Sequence, residues 1–189
     1  MIKFMFFTFI SAASSECENP PLDIAIVIDQ TKSVGKRNYD TMLDSVKSLI
    51  DKYDVGDEKT HFSIVTYDKD PKVRVSLDDK EYHSKEALKK LLDEMKVNDK
   101  LGSPTRTDKA LKTVGEEVFV QGNGDRSNSP NIMIIFTDGN THKSSDDYNT
   151  VTPTLEVRTR MLCKTPEHTL IRIIIIIIKN HYSRLSVLI

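Results

Sequence analysis

The chain has 189 residues, of which 38% are hydrophobic and 29% charged, the composition of an ordinary soluble domain with one sizeable core. Its 27 basic and 28 acidic residues leave a net charge of −1, so no overall field draws it to nucleic acid or to an anionic membrane. Any partner is recognised locally.

The first residues read as a targeting segment, with Lys3 as a short positive region, Phe4 to Ile10 as an apolar run and Ser11-Ala12-Ala13 as small residues before a cleavage point. This reading makes residues 1–13 a signal peptide and the protein secreted and extracellular; the competing reading is a buried N-terminal strand. Two cysteines, Cys17 and Cys163, either clasp the ends of the domain in an oxidising compartment or never meet. Asn128-Ser129 is followed by Pro130, so it is not a glycosylation site.

Asp23 to Ile28 is an apolar run that reads as a buried strand, and Asp29-Gln30-Thr31-Lys32-Ser33 follows it directly. From Tyr39 to Tyr53, Met42, Leu43, Val46, Leu49 and Ile50 recur at helical spacing. His61 to Tyr67 and Lys72 to Leu77 read as two strands across the turn-rich Asp68-Lys69-Asp70-Pro71, the second as a half-exposed edge. Ser84 caps a helix to Met95, with Ala87, Leu88, Leu91, Leu92 and Met95 as its apolar stripe. Another helix is predicted from about Thr107 to Val120, after Gly102-Ser103-Pro104. A polar loop from Gln121 to Pro130 leads into Asn131 to Phe136, a strand of the kind covered on both faces. This order predicts an α/β fold, a mostly parallel sheet with an antiparallel edge hairpin.

Beyond Glu156 the periodicity fades, and Ile173 to Ile178 is a run of six isoleucines. Such a run is either a buried central strand or an aggregation hazard, and it falls well short of the roughly 20 apolar residues that span a bilayer. Residues 157–189 read as an atypical tail. They are either translated read-through, since Val157-Arg158 can be encoded by a splice-donor-like GTAAGA, or genuine chain in which the isoleucines add a core strand.

In an open α/β sheet, ligands sit outside the carboxyl ends of the strands. Spacing of two lets Asp29, Thr31 and Ser33 curl around one point at such an end, and Thr105 and Asp138 fall at loop positions facing the same crevice. Carboxylate and hydroxyl oxygens without His or Cys select a hard divalent cation, Mg2+ or Mn2+. Such a set leaves a coordination position that an acidic side chain of another protein would fill. The five histidines show no ligand spacing and read as surface or structural.

Asp29-Gln30-Thr31-Lys32-Ser33-Val34-Gly35, Thr105-Arg106-Thr107 and Thr137-Asp138-Gly139, in that order, resemble the metal-ion-dependent adhesion site of the von Willebrand factor type A domain. The resemblance covers about Asp23 to Glu156 and makes residues 22–156 the domain, incomplete at its C-terminal end. It implies a Rossmann-like fold with a central, mostly parallel sheet flanked by helices. It also implies a non-enzymatic adhesion module whose metal ligands are Asp29, Thr31, Ser33, Thr105 and Asp138; Thr107 matches a further threonine of the pattern and reads as a helix N-cap rather than a ligand. The implied partner is an extracellular protein such as collagen or another matrix component, with no nucleic acid and no membrane insertion. Two departures stand out: Gln30 and Lys32 lie where small residues are common, and Ser103-Pro104 stiffens a loop where Gly-Gly often occurs. The alternatives are a metal-free interaction or scaffold domain of the same fold, and a magnesium-dependent phosphohydrolase with Asp29 as nucleophile. Hydrolases of the haloacid dehalogenase type place a second aspartate where this chain has Thr31.

Overall fold

The computed structural model of the protein describes residues 21–146, 172–179 and 182–188. Residues 1–13, read above as a signal peptide, Cys17, Cys163 and residues 147–171 lie outside the described residues. The elements run β1 (Asp23–Asp29), α1 (Lys36–Ile50), β2 (His61–Tyr67), β3 (Pro71–Val75), α2 (Lys85–Asn98), α3 (Thr107–Thr113), β4 (Asn131–Thr137), β5 (Arg172–Lys179) and β6 (Tyr182–Leu188). One sheet takes all six strands in the order β3-β2-β1-β4-β5-β6. β1 is parallel to both β2 and β4, and β4 is parallel to β5. The outer pairs, β2 with β3 and β5 with β6, are antiparallel. The isoleucine run is therefore an inner strand, hydrogen-bonded on both sides.

Both faces of β1 are covered, which explains why all seven of its residues are buried. Ile24, Ile26 and Ile28 pack with Met42, Leu43, Val46 and Ile50 of α1 and with Leu88, Leu92 and Met95 of α2. Ala25 and Val27 point the other way, to Ala110 and Leu111 of α3. Alternate residues of a strand serve opposite faces, so a sheet covered on both sides reads as one apolar run.

Several boundaries differ from the sequence reading, each for a local reason. α1 begins at Lys36 because Gly35, at φ 76°, turns the chain straight into the helix without a side-chain cap. The third helix changes to a single π-helical turn at Val114–Val118 rather than continuing regularly to Val120. β3 ends at Val75, although Leu77 beyond it is fully buried. Ser84 does cap α2, accepting from the Ala87 amide at 3.2 Å. His61 opens β2, at the end of the sheet away from the strand C-termini, and stacks on His83 with ring centroids 3.9 Å apart.

The chain leaves β1 through α1 to β2 on one side, whereas β4 joins on the other. Strand direction and order therefore open a crevice at the carboxyl ends of β1 and β4, the switch point where α/β sheets hold ligands. In the register, Ile28 pairs with Phe136, which sets Asp29 beside Thr137.

Candidate metal centre

Asp29 is the last residue of β1 and has no solvent exposure. Its Oδ1 accepts the Thr31 amide at 3.1 Å and the Thr31 hydroxyl at 2.6 Å, so the chain curls back on the carboxylate as it leaves the strand. Thr31 Oγ1 also shares a 2.9 Å hydrogen bond with Ser33 Oγ and accepts one from Thr105 Oγ1 at 3.2 Å. On the far side, Thr137 Oγ1 donates to Asp29 Oδ2 at 2.9 Å. Asp138 follows, 6% exposed, and its Oδ1 accepts the Asn140 amide at 2.9 Å. Asp29, Thr31, Ser33 and Thr105 are thus brought into one hydrogen-bonded set, and Asp138 comes close enough for its charge to act on Asp29.

Burial pushes the Asp29 carboxyl up from 3.8 to about 6, and the Asp138 charge adds to the rise, against hydrogen bonds from Thr31 and Thr137 that lower it. A carboxylate that is desolvated and faces a second carboxylate lacks a positive partner. The donor set fits a hard divalent cation, which would supply that charge. Two carboxylates with hydroxyls suit oxygen coordination; among the described residues no three or more His, Cys, Asp or Glu side chains gather to hold a metal ion, so this set depends on its hydroxyls. Ser33 is exposed, so the set opens to solvent on that side. Lys32 beside it is exposed and makes no ion pair with the described residues.

Backbone pairing holds the loops together. Gln30 N donates to Tyr67 O at 2.8 Å, Gly102 N to Gln30 O at 2.9 Å, and Lys32 N to Gly102 O at 2.9 Å. Gln30 Nε2 reaches Lys100 O at 2.9 Å, so this larger residue fastens the second loop to the first. At Gly102 a Cβ would lie 1.7 Å from Asp68 Oδ2, so no larger residue fits without displacing that side chain. Ser103–Pro104 is a cis peptide bond. The third loop closes on the second through His142 N to Thr105 O at 2.9 Å. It is tied to α3 by Asp146 N to Asp108 Oδ2 at 3.1 Å.

Thr107 is not a cap. Arg106 occupies the N-cap position without a side-chain bond, and Thr107, already inside the helix, places Oγ1 3.3 Å from the Tyr67 hydroxyl. Thr137, quoted above only as part of Thr137-Asp138-Gly139, is a hydrogen-bonding neighbour of Asp29 to which the sequence reading gave no role. The available signal was a hydroxyl ending a buried strand directly before Asp138.

The chain matches the model of the von Willebrand factor type A domain over residues 23–184. Matrilin-3 of Gallus gallus is 30% identical over 131 residues, covering 68% of this chain and 28% of that protein. The collagen alpha-6(VI) chain of Homo sapiens is 32% identical over 137 residues, covering 70% of this chain and 6% of that one. The chain thus spans less than a third of the length of either relative. Among solved structures, proximal thread matrix protein 1 from the mussel byssus, with a zinc-occupied MIDAS motif, superposes with a TM-score of 0.60 at 27% identity, covering 67% of this chain and 33% of its own. The manganese-loaded TRAP protein of Plasmodium vivax shares the fold, with a TM-score of 0.60 at 13% identity over 77% of this chain and 66% of its own. The matched range takes in the site loops and the inner isoleucine strand, and the chain belongs to the von Willebrand factor type A domain family.

Proposed function

We propose that this chain is a secreted adhesion module that binds an extracellular matrix protein through a divalent cation held by Asp29, Thr31, Ser33, Thr105 and Asp138. The observation that carries the reading is the buried Asp29 carboxylate, faced by Asp138 and wrapped by the hydroxyls of Thr31 and Thr137 at the switch point of the sheet. Oxygen donors favour magnesium or manganese, and the counterpart site in the mussel byssus protein takes zinc. A bound cation supplies a positive centre with a coordination position left open. The protein's own part is orientation: Asp29 is locked by three hydrogen bonds, while exposed Ser33 and Lys32 meet the incoming ligand. An acidic side chain of the partner would complete the coordination, and the Lys32 ammonium adds attraction for it. The role is recognition without turnover. Kinship with matrilins and collagen chains supports a matrix setting, and among the described residues no helix is long and apolar enough to cross a membrane.

Adhesion of the purified chain to immobilised matrix proteins, fibrillar collagen included, tests this. With magnesium present, binding is expected above background, and it is expected to vanish on chelation and in Asp138→Ala. Binding that persists unchanged in chelator and in that variant would instead identify a metal-free interaction domain.

A further inference from the structure

Asp99 follows the last residue of α2 and precedes the second site loop, with its amide bonded to Met95 O at 3.0 Å. Its side chain is 8% exposed and is held by residues of α1 and β3. Tyr39 of α1, itself fully buried, donates its hydroxyl to Asp99 Oδ2 at 2.6 Å. Arg74 of β3 adds Nη1 at 3.2 Å to Oδ1 and 3.3 Å to Oδ2. Burial, then the bond to Asp99, pushes the Tyr39 phenol well above its ordinary value, so it serves as a fixed donor. One carboxylate therefore joins α1, β3 and the end of α2. Three residues on, Gly102 makes its two backbone bonds to the first loop, and three beyond that Thr105 reaches Thr31.

We propose that Asp99 is the positioning residue of the site: clamped by Tyr39 and Arg74, it fixes the origin of the Lys100–Thr105 segment and so sets Gly102 and Thr105 against the Asp29–Ser33 loop. The inference rests on the metal reading above only for its effect on cation affinity. Groups that orient ligands from outside the coordination sphere commonly alter metal affinity by about 10- to 100-fold. Here the lever is longer and acts beside the other ties of the same segment, Gln30 Nε2 to Lys100 O and His142 N to Thr105 O.

Asp99→Asn and Tyr39→Phe test it from opposite partners of the same bond, neither touching a site oxygen. In chelator, amide hydrogen exchange at Lys32 and Gly102 is expected to speed up about tenfold in both variants, while Ile26 in central β1 keeps wild-type protection. Calorimetric titration with magnesium chloride alone, well below the unfolding temperature, is expected to show about tenfold weaker binding. Wild-type exchange at Lys32 and Gly102 in both variants would overturn the proposal. So would a uniform loss of protection that includes Ile26, since that is general destabilisation. If the wild type takes up no magnesium yet exchange still rises locally in both variants, the metal reading falls and the anchoring role of Asp99 stands.

Discussion

Asp29→Asn will leave the chelated chain more stable than wild type at pH 7, and deaf to divalent cations. In the folded chain the Asp29 carboxyl titrates near 6 rather than at the ordinary 3.8, chiefly because it is buried. Between those values the folded state holds a proton that the unfolded state has released, so stability falls as pH rises. The contribution is fully present below the ordinary value and lost as pH passes through about 6. At pH 7 the metal-free fold carries the whole penalty, about 3 kcal/mol for this shift. Asparagine cannot ionise and keeps an oxygen for the Thr31 amide and hydroxyl, so it avoids most of that cost while offering a cation no charge. Denaturant midpoints across pH 4 to 7 in chelator check this. Wild type should lose stability relative to the variant over the interval, and the variant should show no magnesium response.

Arg126→Ala has the largest expected cost to folding. Asp23 has no solvent exposure, and Arg126 closes on it from three donors: its amide to Oδ2 at 2.8 Å, Nε to Oδ1 at 2.9 Å and Nη2 to Oδ1 at 2.6 Å. Removing the guanidinium leaves a buried carboxylate without its cation, a change that typically costs about 3–5 kcal/mol. The reverse substitution, Asp23→Ala, should cost less, because the Arg126 side chain is 21% exposed and can turn to water. This pair sits where β1 begins, at the opposite end of the strand from Asp29. Urea midpoints should therefore drop in the order wild type, Asp23→Ala, Arg126→Ala, with magnesium still raising each midpoint. Equal losses for the two variants would contradict the burial asymmetry.

The sheet was legible because its inner strands are covered on both faces: Asp23–Ile28 and Asn131–Phe136 read as unbroken apolar runs, and the chain punctuates them with Asp-rich loops at one end. The oxygen cluster at the strand ends was legible in part for the same reason, since Asp29 and Asp138 close those runs, whereas Thr105 follows no strand. What escaped were contacts set by distance across the fold. Nothing in local spacing says that Thr137 faces Asp29, that Gln30 reaches Lys100, or that Thr107 turns to Tyr67 instead of capping its helix. The isoleucine run shows the limit from the other side. Identical residues carry no face preference, so sequence left strand or hazard open, and only pairing with β4 and β6 makes it an inner strand.

Thermal unfolding of the chain at pH 7, in magnesium and in chelator, with Asp138→Ala alongside, tests the proposed metal site most directly. A ligand that binds only the folded state adds about 2.7 kcal/mol at one hundred times its dissociation constant, which for a domain of this size raises the midpoint by about 5–10 °C. That rise is expected in wild type and none in Asp138→Ala. A cooperatively folded wild-type chain whose midpoint is the same in magnesium, manganese and chelator would contradict it.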